Sequence, residues 1–401
     1  MVMKNLCAEY LDYLCGEIAE RPVGSEGNRS AIIKFQEIVE SYGWQVEETP
    51  FSAMDWEEEG AQLFAGKKEY QVFPSPYSLG CDYRSVLTEA GSIQELERLD
   101  CAGKILLLHS DIAREQLMPK NFVFYNPEEH QQIIAALENK NPAAIITATG
   151  RNPSLAGGVY PFPMIEDGDF QIPSVYMTEE EGKELLNKTG KEIHLISRTV
   201  RISETAYHLK ARKACDEGRI VISAHIDAKK GTPGAIDNAT GVILLLLLAD
   251  LLNNYQGKYG LELLPFNGED YYGATGQMLY LNENKDHWQE IILNINIDGA
   301  GYYQGASSLS PFNLPEGIKE HVDELIDNYP DILEGDPWFQ GDHSIFLQQA
   351  VPAIAFSSQW FLENMDSQDI THTPKDHSGI VDCQKVVGIA QFISELILTL
   401  E

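Results

Sequence analysis

Positive charge is what this 401-residue chain has least of: 29 Lys and Arg stand against 61 Asp and Glu, a formal net charge of -32. A surface of that sign repels phosphate backbones and anionic headgroups, which argues against nucleic acid and membrane surfaces as partners. It mildly favours a cationic partner, such as the free amino group of a peptide, although solubility alone accounts for an acidic surface. Long apolar runs are also missing. The longest, Val242 to Ala249, is far too short to span a bilayer and is broken by Asp250. The amino terminus passes within a few residues into a helix carrying Glu9, Asp12 and Glu17, not into the apolar region of a signal peptide. These absences predict a soluble, cytoplasmic protein. Cysteine is sparse, and Cys7, Cys15, Cys81, Cys101, Cys215 and Cys383 show neither CxxC spacing nor a secreted framework. Reduced structural thiols are expected, not metal ligands. There is no internal repeat and no low-complexity segment.

What is present is an ordinary globular composition, 43% hydrophobic and 22% charged, on a chain long enough for two or three domains. Leu6, Tyr10, Leu11, Leu14 and Ile18 recur at a period near 3.6 and predict a helix over 3–19. The turn Arg21-Pro22-Val23-Gly24-Ser25 leads to a second helix, about 28–42, closed by Gly43, and then to a strand over 44–51. From Asp55 to Ile202 the texture changes to short strands and many turns, with helices expected at 127–139 and 178–187, the latter capped by Thr178. No catalytic constellation is evident there. An inserted, mainly-β accessory domain over 55–202 follows, between an amino-terminal part (1–54) and the remainder (203–401) of one catalytic domain. After Ser203 strands at 218–226, 260–266, 290–297 and 352–357 alternate with helices at 238–254, 273–282, 315–328, 343–349 and 382–400. That order predicts an α/β fold, a three-layer sandwich around a mixed, largely parallel sheet.

In such sheets, sites form outside the carboxyl ends of the strands. His225 and Asp227 end one apolar strand, Asp237 opens the following helix, Glu269 and Asp270 follow the next strand, and Asp298 ends a third. His372 lies in the loop after a fourth. Taken singly, Glu269-Asp270 reads as a solvated turn, Asp298 as a cap and His372 as a surface residue. Taken together, they place oxygen and nitrogen donors at one edge of the sheet. Two imidazoles and several carboxylates, with no thiolate, suit a pair of Zn²⁺ ions, or Co²⁺ or Mn²⁺ in their place. Two such ions, roughly 3.5 Å apart, clamp a water and a substrate carbonyl.

The segments that carry these residues, His225-Ile226-Asp227, Gly234-Ala235-Ile236-Asp237-Asn238-Ala239-Thr240-Gly241, Asn267-Gly268-Glu269-Asp270, Asn296-Ile297-Asp298 and His372-Thr373-Pro374-Lys375-Asp376, resemble in order the motifs of metallopeptidase family 28. That family includes bacterial leucyl aminopeptidases and glutamate carboxypeptidase, and has a zinc-exopeptidase fold. The Arg21 to Ser25 turn is similar to the family's opening, and Gly103-Lys104-Ile105-Leu106-Leu107 to a protease-associated domain. The resemblance implies that Asp237 bridges both metals, that His225 and Asp298 complete one site, and that Asp270 and His372 complete the other. Glu269 is implied as general base, taking the proton of a metal-bridging water, and Asp227 as the residue holding the far nitrogen of His225. His343, in Gly341-Asp342-His343-Ser344, is a candidate contact to substrate or oxyanion, with a structural role at a helix start as the alternative. Two departures stand out: Asp270 where many family members have Glu, and Ile236 where an acid is common.

The implied activity is that of an aminopeptidase acting on peptides with a free amino terminus. Carboxypeptidase or dipeptidase action on the same site is the alternative, and it needs a basic pocket that the sequence does not place. A glutaminyl cyclase-like acyltransferase resembles a single-zinc site lacking the His225 equivalent. A noncatalytic binding module like the transferrin receptor has lost ligands that are all retained here. Another two-metal family with a dimerisation lid inserts that lid after the Glu-Glu motif, whereas the insertion here precedes His225. A homo-oligomer is left open.

Overall fold

A computed structural model describes residues 2–18, 20–151, 159–213 and 217–400; Cys215 lies outside the described residues. The chain forms two compact units, Met1–Ala53 with Thr205–Glu401, and Met54–Glu204.

The first unit opens with helices α1 (Val2–Asp12) and α2 (Glu26–Ser41). The single helix expected over 3–19 is α-helical only as far as Asp12, and Tyr13–Glu17 winds on as a π-turn. Ser25 caps α2 by accepting the N–H of Asn28. Strand β1 (Gln45–Ala65), which runs far longer than the strand expected over 44–51, leaves the unit and β2 (Glu192–Lys213) returns to it. Then follow β3 (Arg219–His225), α3 (Thr240–Leu251), β4 (Gly260–Phe266), α4 (Thr275–Asn284), β5 (Ile291–Ile297), β6 (Ser307–Phe312), α5 (Glu316–Ile326), β7 (Ile332–Glu334), α6 (His343–Gln348), β8 (Ala353–Ser358) and α7 (Cys383–Thr399).

Within this unit the sheet order is β7-β6-β8-β5-β3-β4-β2. The central strands β8, β5, β3 and β4 are parallel. At the two edges β2 is antiparallel to β4 and β6 antiparallel to β8. The sheet is therefore mixed and largely parallel. Its inner strands are apolar along their length because both faces are covered: all of β4 and all of β3 after Arg219 are buried. Ile220, Ile222 and Ala224 of β3 share one cluster with Leu293, Ile295 and Ile297 of β5 and with α1, α2, α3, α5 and α7. Ten of the twelve residues of α3 are buried. A helix apolar on all sides belongs inside the core, which explains the run of leucines. On the opposite face Phe266, Tyr280, Trp288 and Phe346 meet edge to face. Ser223 and Asn296 share that side, the Ser223 hydroxyl donating to the Asn296 carboxamide oxygen at 2.8 Å.

The second unit has its own core. Strands Cys81–Ala90, Ile105–Leu108, Ala144–Thr149 and Ser174–Thr178 lie parallel in that order, with helices Ile93–Arg98 and Glu128–Lys140 in the connections and Glu179–Leu185 after the last strand. Alternate residues of Ile105–Leu108 enter different apolar clusters, so the sheet is covered on both faces. Thr178 caps its helix by accepting the N–H of Glu181 at 3.2 Å. No described helix is long and apolar enough to cross a membrane.

Candidate metal centre

The parallel strands bring their carboxyl ends together, and the donors gather there. His225 is the last residue of β3. Its Nδ1 lies 3.1 Å from the Asp227 carbonyl, which can only accept, so Nδ1 carries the proton and Nε2 faces the site. Nε2 is 3.0 Å from Asp237 Oδ1, 3.6 Å from Asp298 Oδ1 and 4.0 Å from Glu269 Oε2. The other oxygen of Asp237 is 3.1 Å from His372 Nε2, which is itself 3.1 Å from Asp270 Oδ1. One carboxylate thus divides its two oxygens between two imidazoles. Ligand atoms of His225, Asp237 and Asp270 lie within 4.8 Å of one another.

Each of these side chains is held by backbone contacts around it. Asp237 lies in the turn Ala235–Ala239 ahead of α3, where it and Asn238 leave helical φ/ψ and the Asp237–Asn238 peptide is cis. Asn238 fixes that turn: its amide donates to the Ile297 carbonyl at 2.8 Å and its oxygen accepts the N–H of Gly241 at 3.0 Å. Asp298 follows β5 and donates its N–H to the Phe356 carbonyl of β8. His372 adopts a positive φ of 59° in a loop tied to the turn after β3, where the Thr232 hydroxyl donates to the Thr373 carbonyl at 3.0 Å.

Asp227 does its holding differently from expectation. Its carboxylate is 3.8 Å from His225 Nδ1, outside hydrogen-bonding range, and its carbonyl makes that contact instead. The carboxylate accepts the N–H groups of Gly268, Glu269 and Asp270 at 2.8, 3.3 and 3.0 Å. It therefore sets the turn that presents Glu269 and Asp270. His343 is not brought into the group. It is fully buried between Trp338 and Phe312, and its Nε2 donates to the Trp338 carbonyl at 2.8 Å. Burial pushes its imidazole down to about 4, so it stays neutral. Its Nδ1 is buried without a hydrogen-bond partner. The neighbouring Asp342 is buried close to the site and accepts from Gln277 Nε2 at 3.0 Å. Burial carries its carboxyl up to about 7.

The electrostatics are those of a site that needs cations. Burial disfavours the charged form of His225 and His372, yet Asp237, Asp298 and Glu269 raise the first imidazole, and Asp270 and Asp237 the second, well above the usual value. Desolvation, with the charges of Asp270, Asp298 and Asp342, raises the Glu269 carboxyl well above its usual range while His225 opposes it. His225 Nε2 and Asp270 Oδ2 are buried without a hydrogen-bond partner. Orphaned donor atoms in a cluster of four carboxylates and two imidazoles fit divalent ions, which displace the imidazole protons as they bind. The donor set is nitrogen and oxygen only. Among the described residues five cysteines are free, and none lies in this group.

The fold thus presents, at the ends of its parallel strands, a nitrogen-and-oxygen donor set suited to divalent ions. Residues 205–397 match the model of Peptidase family M28. A probable lipoprotein aminopeptidase, LpqL, of Mycobacterium tuberculosis is 23% identical over 314 residues, covering 72% of this chain and 58% of that protein. Leucine aminopeptidase 2 of Trichophyton rubrum is 27% identical over 204 residues, covering 45% and 40%. The chain thus spans 58% and 40% of the lengths of these two relatives. Among solved structures, an aminopeptidase from Aneurinibacillus sp. strain AM-1 superposes with a TM-score of 0.76 at 19% identity, over 98% of this chain and 93% of that one. BSAP, a zinc aminopeptidase from Bacillus subtilis, gives 0.75 at 17%, over 98% and 94%. At such identities the superpositions establish the shared fold.

Arg21 and Asp376 are the residues near the site whose part the sequence did not disclose. Both lie inside quoted motifs, but what they contact is set by pairings across more than 130 positions, for which a single sequence carries no signal.

Proposed function

We propose that this protein is a co-catalytic two-metal exopeptidase that removes the amino-terminal residue from peptides. The observation that carries the reading is the division of Asp237, one oxygen 3.0 Å from His225 and the other 3.1 Å from His372. His225, Asp237 and Asp298 would hold one ion, and His372, Asp237 and Asp270 the other, with Zn²⁺ the best match to this donor set and Co²⁺ or Mn²⁺ able to replace it. The metals supply Lewis acidity, activating a water and polarising the scissile carbonyl.

The chain's own residues do the rest. Glu269 is the acid left over from ligation, 30% exposed, and so able to meet solvent and substrate. It accepts the proton of the attacking water and passes it to the leaving amine. Asp227 fixes its backbone, so the carboxyl moves only by side-chain rotation. That the relatives are named aminopeptidases supports action at the amino end of a peptide. The test is a metal count on the full chain paired with a peptide library bearing free or blocked amino termini. Two ions per chain and stepwise loss from free amino termini are expected. Cleavage of blocked peptides from the carboxyl end would overturn the aminopeptidase reading.

A further inference from the structure

Behind the ligands lies a layer of buried charge with no part in the chemistry above. Arg21 is fully buried, although a guanidinium is among the costliest groups to withdraw from water. Its Nε donates at 3.1 Å to the carbonyl of Ile226, the residue between His225 and Asp227. Nη1 donates to the carbonyls of Leu14 at 2.7 Å and Pro233 at 2.9 Å, and Nη2 to that of Gly234 at 2.9 Å. Asp376, also fully buried, holds the same loop by its donors: it accepts the N–H of Ile236 at 2.7 Å and of Asp237 at 3.0 Å. Its carbonyl accepts the N–H of Ala235 at 3.3 Å.

We propose that Arg21 and Asp376 are paired positioning residues. Arg21 gathers the carbonyls and Asp376 the N–H groups of the segment 233–237. Together they orient the backbone of Asp237 relative to the end of β3 so that one carboxylate serves two ions. The inference rests on the two-metal reading above. A planar fork with five donors holds three separate backbone segments here, at Leu14, Ile226 and Pro233–Gly234, in a fixed geometry that the single rotating ammonium of a lysine does not reproduce. The loop is fitted closely around that fork. Gly234 has φ of 56°, and a Cβ there comes within 3.1 Å of Arg21 Nη2, 2.7 Å of the Ala228 Cβ and 2.6 Å of the Asp237 carbonyl oxygen. Asp376 sits four residues beyond His372, so the pair also ties the loop carrying one imidazole to the loop carrying the bridge.

The test uses the full chain, stripped of metal and titrated with Co²⁺ alone, with visible absorption and a chelator competition reading affinity and circular dichroism reading the fold. Arg21→Lys keeps the charge and loses the fork; Asp376→Asn keeps the shape and loses one acceptor. Each is expected to stay folded and to lose affinity by roughly 10–100-fold, the range for groups that support ligands. In the reloaded variants kcat is expected to fall with KM little changed. Glu262→Gln is the control for stability alone: Glu262 is buried on β4, opposite Val221, and bonded by Tyr280, far along the strand from the ligands. It is expected to lower the unfolding midpoint without moving affinity. Unchanged affinity in the folded Arg21 and Asp376 variants, or an equal loss in Glu262→Gln, would overturn the proposal. A parent chain that binds no Co²⁺ would overturn the two-metal reading and this inference with it.

Discussion

Glu269 and Asp237 are both carboxylates at the same strand edge, and what separates their roles is geometry. Asp237 is engaged through both oxygens, whereas Glu269 comes no nearer than 4.0 Å to an imidazole. Glu269→Gln keeps the volume and removes the base. The expected outcome is a full metal complement with turnover reduced roughly 10²–10⁴-fold, read by metal analysis beside steady-state rates. Near-normal turnover would remove Glu269 from the mechanism.

His208, another buried histidine, gives a separate prediction. It lies against Phe266 and Tyr280 with both ring nitrogens unpartnered among the described residues, and burial pushes its imidazole down to about 3. The unfolded chain takes up that proton below the ordinary value near 6.5, while the folded chain refuses it. Stability is therefore complete above pH ~6.5 and declines as pH falls from there towards 3, by at most about 1.4 kcal/mol per pH unit for one proton. His208→Leu should flatten that decline between pH 7 and pH 5 in urea titrations, whatever it does to the absolute midpoint. An unchanged slope would mean that His208 accepts its proton in the folded state.

At the scale of elements, legibility followed exposure to two competing patterns. The central strands were readable because burial on both faces demands unbroken apolar runs, and the polar residues gathered at their ends because a His, Asp or Glu closing such a run breaks the pattern sharply. Strand β6, Ser307-Ser308-Leu309-Ser310-Pro311-Phe312, was not readable. It is serine-rich and contains proline, which suits a strand near the sheet edge but gives no periodic signal. The three-residue β7 is too short to register at all. The part played by Asp227 was only half legible: its place beside His225 was, but its partners lie 41 to 43 residues away on the following turn. Helix α3 shows what the legible part contributes. Leu244 is fully buried in it, against helices on one side and the sheet on the other. Leu244→Ala should lower stability by about 2–5 kcal/mol, as buried leucine truncations do where the site cannot collapse. Chemical denaturation reads this directly, and a loss under 1 kcal/mol would mean that the helix repacks around the gap.

For the molecule as a whole, two kinds of negative charge have to be told apart. The excess of 61 acids over 29 bases is spread over the sequence, and its self-repulsion weakens the compact state in a way that dissolved salt screens. The acids of the centre are buried beside imidazoles, where screening is slight and only an ion seated among them, or protons on His225 and His372, can balance them. Added NaCl should therefore raise the unfolding midpoint of chelator-treated and metal-loaded protein alike. The gap between the two forms has a different origin. A ligand that binds only the folded state stabilises it by mass action, by about 2.7 kcal/mol at a hundredfold excess over its dissociation constant. That gap should persist at high NaCl and should shrink in Asp237→Asn, where the carboxylate shared by both imidazoles is lost. Thermal scans with and without chelator, at low and high NaCl, separate the two contributions. If high salt closed the gap in the parent chain, the stabilising ions would be a diffuse atmosphere around an acidic surface, and the strand-end cluster would not be the place where they act.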